Sequence, residues 1–449
     1  MRFVLPILAL PVFCITLTGC ATYRPAPLPA TPPLRESLAA LPHRLPDGGE
    51  ISMAGPLTLQ DVAALAVLND PDLAAARAQH DVSAAELLST GLPPDPSINA
   101  GFAALLGGPA SMPSISAGFM QDVGALITYR VDRAAAKAGL AQVDAGIMWQ
   151  EWQVASQAEQ LAVTLIAGQA ATASLRDDVA VLTGVDNAIQ AQIAQRNLTM
   201  NDAAASMAAL AAVQSALDAA EQNQAHDVDQ LDALLGFEPG TEIPLAPPAV
   251  APPEPDVIAP ALATLPRRRP DLIALRYGYA QADARLRAAI LTQFLPISVG
   301  AAYGRDTSGV ITAGPQMSLT LPLFNRNQGG IAAAQATRAA LLAQYAAALA
   351  NAEGGARALY TSILLLRTQA DIAQREADQA AAMAKSARIA FAEGQISATA
   401  LANLQSTAGE RERAYIGLRG QLQSSEISLA TLLGLGLPPL AASPKEQAP

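Results

Sequence analysis

The feature that most constrains this chain is that its second half repeats its first. Pro71-Asp72-Leu73, followed by Arg77, recurs as Pro270-Asp271-Leu272, followed by Arg276, at an offset of 199. Ala134-Ala135-Ala136 recurs as Ala332-Ala333-Ala334, Leu198-Thr199 as Ile396-Ser397, and Leu234-Leu235-Gly236 as Leu432-Leu433-Gly434, each at an offset of 198. Alanine bias poorly explains a constant register over so long a stretch, and a repeat must be placed before anything else in the fold. The 449 residues therefore bound two copies of one unit of roughly 200 residues rather than three ordinary domains. A Pro-rich stretch, Glu238 to Pro260, separates them.

Each copy reads as helix, strand pair, very long helix, turn and long helix. Residues 57–90 have a helical pattern broken at Asn69-Asp70-Pro71, where Asp70 can cap and Pro71 suits a first helical turn. The period then changes to two. Ile98, Ala100, Phe102 and Ala104 alternate with Ser97, Asn99 and Gly101, and Ser114 to Val123 repeats this with Ile115, Ala117 and Phe119. In the second copy Ile297, Val299, Ala301 and Tyr303 oppose Ser298, Gly300, Ala302 and Gly304. Met317, Leu319, Leu321 and Leu323 likewise oppose Gln316, Ser318 and Thr320. Such segments have the length of tilted membrane strands. From about Tyr129 to Gln195, and again from Gln328 to Phe391, no proline interrupts a helix-forming composition. Each is on the order of 100 Å of helix, too long for a globular domain, and must bury a narrow seam of small residues against a neighbour. Residues 203–236 and 398–434 return antiparallel at about half that length. Gly354-Gly355 reads as a site of close helix approach.

The start of the chain is an export signal. Arg2 precedes an apolar run, Phe3 to Leu17, which is too short for a membrane span and is followed by Pro-rich chain. Leu17-Thr18-Gly19-Cys20 resembles the bacterial lipobox, which implies cleavage and lipidation of Cys20, and Ala21 after it implies sorting to the outer membrane. Cys14 leaves with the signal, so no intrachain disulfide is expected. The expected organisation is signal 1–19, lipidated N-terminus and tether 20–56, first repeat 57–237 with a hairpin at 95–123 and a turn at 196–200, and linker 238–260. The second repeat, 261–436, has a hairpin at 295–323 and a turn at 394–398, before a tail at 437–449.

Composition sharpens this picture. Apolar residues make up 51%, aromatics only 4% and charged residues 15%, so helices pack around alanine rather than around a bulky core. A net charge of −11 argues against nucleic-acid binding, which needs a basic face. Mean hydropathy of +0.24 is opposite to the signature of disorder. Four amphipathic strands cannot close a barrel, and an open sheet edge has no hydrogen-bond partners in hydrocarbon, so membrane strands here require several copies to pool their hairpins.

Several segments carry a family resemblance. The Leu57-to-Ala63 helix start before Pro-Asp-Leu, Leu92-Pro93 and Leu295-Pro296 before the strands, and Leu319-Thr320-Leu321-Pro322-Leu323-Phe324-Asn325-Arg326 resemble the TolC-type outer-membrane efflux family. Phe391-Ala392-Glu393-Gly394-Gln395-Ile396-Ser397 resembles that family's helix turn at the periplasmic tip. The resemblance covers about residues 57–436. It implies a mainly α fold with membrane β: long antiparallel helical hairpins forming an α-barrel, and two β-hairpins per protomer contributing to a twelve-stranded barrel shared by a homotrimer. It also implies a periplasmic adaptor and an inner-membrane pump as partners, outer-membrane lipid around the barrel, and a place in the lipidated branch serving drug and metal pumps. Asn325 to Ile331 is most similar to the heavy-metal subset. Adaptor contact would fall on Leu198, Thr199, Gly394, Ile396 and Ser397, with Asp202 and Glu393 as acids near the tip.

Enzyme chemistry is not indicated. His43, His80 and His226 have no metal-ligand spacing with one another or with Cys20, and neither Gly329-Gly330 nor Gly354-Gly355 sits in a phosphate-binding pattern. No cofactor or metal is expected, and energy for transport would come from a partner. Besides the efflux duct, the sequence admits the outer-membrane part of a type I protein secretion system, or a lipid-anchored periplasmic coiled-coil scaffold without a pore.

Overall fold

The computed structural model describes residues 23–435 apart from 33, 45–48, 54, 108–111, 198, 294–296 and 322. The expected signal, Cys20, Leu198 and the tail at 437–449 lie outside the described residues. Residues up to Leu34 form a unit of their own, irregular where described. The second unit starts at Arg35 and holds both repeats.

The first repeat begins with α1 (Leu59–Asn69) and α2 (Pro71–Thr90). Thr58 and Asp61 form a reciprocal capping box at the start of α1, and Asp70 ends that helix and caps the next, its carboxylate accepting from the Leu73 N–H at 2.7 Å. Strands β1 (Ser97–Ala103) and β2 (Ser114–Asp122) follow, then α3 (Val123–Ala194) and α4 (Met200–Leu235). The second repeat has α5 (Pro255–Arg268), α6 (Pro270–Leu291), β3 (Ile297–Arg305), β4 (Ile311–Leu319), α7 (Gln328–Ala392) and α8 (Ala398–Leu432).

The structure explains the repeated motif. Pro71 and Pro270 occupy first-turn positions where the missing N–H costs nothing, and Leu73 and Leu272 are the buried anchors that follow. Arg77 and Arg276 each donate to a carbonyl ten residues upstream, that of Val67 at 2.7 Å and of Pro266 at 3.5 Å.

Three expectations need correction. The stretch 238–260 is not linker throughout, because α5 starts at Pro255, where proline's fixed φ suits the first turn, and it carries Pro260 and Pro266 inside it. β4 ends at Leu319, so Leu321 and Leu323 are not strand residues. With Ile297 opposite Leu319, the next residues in sequence include Pro296 and Pro322, which have no N–H for the ladder. Gly354 and Gly355 mark no close approach between helices of the same chain, since a Cβ on either would meet nothing of that chain within 4 Å.

The long helices are held by seams of small residues. On α7 the buried positions run 363, 366, 370, 373, 377, 380, 384 and 387, an alternating three-four spacing filled by alanine except at Ile363 and Leu366. This is the a/d stripe of a coiled coil, and alanine there lets helix backbones lie close. At 1.5 Å per residue, the 72 residues of α3 and 65 of α7 extend about 108 Å and about 98 Å. Bulkier packing gathers in several clusters, two of them close to the α1 and α5 helices. In the first repeat Leu41, Ile51 and Leu57 fold over α1, α3 and the end of α4, with Leu65, Leu231 and Phe237 at the centre. In the second, Ile258 and Ala261 pack on Ile363, Leu429 and Leu433. Ala203–Leu235, nearly all of α4, is by length and composition apolar enough to cross a membrane, the one such helix among the described residues.

Candidate functional site

The four strands form one antiparallel sheet in the order β1-β2-β3-β4, so the two hairpins are joined through β2 and β3. Because side chains alternate along a strand, the pairing decides which residues share a face. Ile98 pairs with Phe119, Phe119 with Ala301 and Ala301 with Pro315, while Ala100, Ala117, Tyr303 and Ala313 make the adjacent row. Gln121, Val299 and Met317 make the row nearer the helices, and Phe102, Ile115, Arg305 and Ile311 the row at the far end. One face is therefore apolar across all four strands and extends to Ile297 and Leu319 beside the helices, with Gln121 and Arg305 as its polar members. The opposite face carries Ser97, Asn99, Gly101, Ser116, Gly118, Ser298, Gly300, Thr312, Gly314 and Gln316, all small or polar, with Met120 as its one large apolar side chain. Ile98 is 81% exposed, Phe102 70% and Met317 67%, far more than a chain whose apolar sheet face packs on its own core would leave.

At the other end of the long helices lie the two turns. After α7, Gly394 adopts φ +74°, the Gln395 N–H donates to the Ala390 carbonyl at 2.7 Å and the Gly394 N–H to that of Phe391 at 2.9 Å. This is a Schellman termination. After α3 the same pair of bonds joins Asn197 to Gln192 and Arg196 to Ile193, both at 2.9 Å, with Arg196 in the left-handed region at φ +64°. Ser397 then caps α8, its hydroxyl accepting from the Ala400 N–H at 3.2 Å. Thr199 occupies the matching place before α4 and is exposed.

Gly394 and Ser397 are exposed at this tip, while Ile396 is half-buried against a cluster of Val185, Ile189, Ala203, Ala387 and Leu401. Ile396 thus has a packing role that its sequence position does not reveal. Glu393 is exposed and accepts from the Gln395 amide at 2.6 Å; Asp202 lies in the first turn of α4. Leu198 falls outside the described residues. Those of the expected residues that are described therefore gather at one end of the helical hairpins, with Glu393 in the turn beside Gly394.

A polar brace behind the tip was not found from sequence. Asp178 is only 3% exposed in α3. It accepts from Gln405 at 3.0 Å and from Arg413 at 2.6 Å, both on α8, and Gln405 in turn accepts from Arg388 on α7 at 3.1 Å. Gly409 makes room for it, since a Cβ there would overlap the Asp178 carboxylate. The available signal was heptad spacing: Leu175, Asp178, Leu182, Val185 and Ile189 are all buried on α3, which places an acid within an apolar seam. A second pair, Arg367 with Glu426 at 2.8 Å, ties α7 to α8. Nearer the bulky core, burial pushes the Glu159 carboxyl up to about 6, and burial also raises Asp232, against the pull of the Thr241 and Gly240 N–H groups.

Of the histidines, His80 lies 3.4 Å from both Asp81 and Asp144, and His43 contacts the Leu41 carbonyl at 2.9 Å. Among the described residues no group of three or more His, Cys, Asp and Glu side chains is placed to hold a metal ion.

An amphipathic four-stranded sheet continuous with helices of this length is the fold that known outer-membrane channels share. Residues 262–435, the second repeat, match the family described as outer membrane efflux protein, and the chain has the fold of TolC-type channels. The outer membrane protein VceC of Vibrio cholerae superposes with a TM-score of 0.70 at 17% identity, covering 84% of this chain and 96% of that one. The CmeC outer membrane channel of Campylobacter jejuni gives 0.70 at 16% identity, covering 84% and 85%. The open state of the MtrE outer membrane channel of Neisseria gonorrhoeae gives 0.70 at 15% identity, covering 90% and 98%. No curated protein matches the chain.

Proposed function

We propose that this chain is the outer-membrane exit duct of a tripartite efflux system. Three copies pool their hairpins into one twelve-stranded barrel in the outer membrane, and their helices continue it as a tunnel into the periplasm. The observation that carries this reading is the sheet: one face apolar across all four strands and exposed, the other small and polar except at Met120, with β1 and β4 each paired on one side only. An open edge in hydrocarbon leaves backbone groups without partners, which pairing β4 of one copy with β1 of the next removes. Exposed apolar side chains along α7, among them Leu342, Leu365 and Ile389, suit the flank of a second copy. Lipid on Cys20 would anchor each chain, and energy would come from an inner-membrane pump through an adaptor docked at Leu198, Thr199, Gly394, Ile396 and Ser397.

Extraction of the wild type and a Cys20→Ala variant tests the reading. The duct predicts that both need detergent to leave the membrane and both run as native trimers, whereas release of the unlipidated variant as a soluble monomeric rod would contradict it. In the same trimers Gly394→Asp, which adds charge at an exposed turn, should abolish adaptor pull-down without loss of assembly; retained pull-down would move the docking site elsewhere.

A further inference from the structure

The strands are short for the bilayer they would cross. At ~3.4 Å per residue and a tilt of ~40°, a nine-residue strand rises about 23 Å and a seven-residue strand about 18 Å, against an apolar band about 25 Å tall. β2, β3 and β4 have nine residues and β1 has seven. The sheet falls short of the band most of all at β1.

Exposed apolar side chains continue past the helix-side end of the sheet. Leu92 precedes β1, Ile127 follows β2 in the second turn of α3, and Leu321, Leu323 and Phe324 follow β4; all five are more than half exposed, and Phe324 is fully so. Hydrogen bonds anchor the chain beside them. The Tyr129 hydroxyl donates to the Gly91 carbonyl at 2.6 Å and the Gln121 amide to that of Pro94 at 3.0 Å, tying the entry to β1 against the exit from β2. In the second repeat Asn327, at φ +56°, donates to the Ala289 carbonyl at 2.9 Å and the Thr292 hydroxyl at 2.7 Å, tying α7 to the end of α6. Just beyond the apolar residues stand exposed Arg326 and Arg130, in a chain that is otherwise net acidic. Apolar side chains followed by a basic residue are the pattern of a chain leaving hydrocarbon for lipid phosphates.

From this we infer that the bilayer contact does not end with the strands: the collar of Leu92, Ile127, Leu321, Leu323 and Phe324 is embedded in the acyl chains of the leaflet nearest the helices, with Arg130 and Arg326 at its phosphate level. The inference rests on the membrane reading of the sheet and makes up what the strands lack in height. The first turns of α3 are thereby seated within the membrane.

Nitroxide labels on Phe324→Cys, Leu92→Cys and Ile127→Cys test it in the full chain reconstituted into phosphatidylethanolamine and phosphatidylglycerol vesicles, after subtracting the label taken up by the parent chain. Phe102→Cys on the apolar sheet face serves as the membrane reference and Gln395→Cys at the tip as the water reference. Collisions with oxygen should exceed those with a water-soluble nickel chelate at 324, 92 and 127, as at 102, and the order should reverse at 395. Nickel-dominated collisions at all three collar sites, or slow collisions with both reagents as under a neighbouring copy, overturn the collar if 102 still favours oxygen. If 102 itself favours nickel, the membrane reading fails and the collar fails with it.

Discussion

Positions 196 and 394 occupy the same place in the two repeats and take the same left-handed backbone, φ +64° and +74°, yet one is arginine and the other glycine. A side chain with a Cβ is strained there by about 1 kcal/mol, and glycine is not. Gly394→Ala should therefore lower stability by about 1 kcal/mol and Arg196→Gly should raise it by up to about that much, a pair of opposite shifts measurable by denaturant melts of the same oligomer. Glu159 makes a separate prediction. Its carboxyl is held up at about 6 against an ordinary 4.5 because burial disfavours the charge. The folded chain thus holds a proton that the unfolded chain has lost, so the stability from this group is present below pH 4.5 and declines as pH rises through 6. Glu159→Gln should flatten the pH dependence of melting between those values; an unchanged slope would assign it to other groups.

Among elements, the strands and the rods were the most legible. A period of two over seven to nine residues specifies both the strand and its faces, so Ile98, Phe102, Phe119 and Tyr303 fall together on one surface as their alternation requires. The face pattern predicts a contrast between neighbours in β2: Ala117→Lys, on the apolar face, should impair membrane assembly by about 2–4 kcal/mol, while Ser116→Lys, on the small polar face, should leave it intact and alter conduction. Equal effects on assembly would deny that the faces differ. The end of β4 was misread because Leu321 and Leu323 keep the alternation that prolines nearby interrupt. Long helices were legible from the absence of proline, but not what locks their register. Asp178 reads on its own as a solvated surface acid, and only the packing of α3 against α8 turns it into a buried partner of Arg413 and Gln405. Removing one member of such a pair leaves the other buried and uncompensated, which typically costs about 3–5 kcal/mol.

For the whole molecule, alanine is the residue whose meaning depends most on the fold. In a globular domain it would leave a thin core, but on α7 it fills the heptad seam from Ala370 to Ala387 and lets rods lie side by side as a wall. The repeat was readable because it recurs in sequence. The tip remained readable only in part, since the turns announce themselves while Ile396's packing role does not. The two ends of the long helices differ in kind: an amphipathic sheet at one and a pair of hydrogen-bonded turns at the other, with packed seams, apolar clusters and polar braces between them. The most direct measurement is the conductance of the purified, detergent-extracted oligomer in planar lipid bilayers. The account predicts discrete, ohmic steps that change in size for Ser116→Lys; an oligomer that inserts without conducting, or a chain that never inserts, would contradict it.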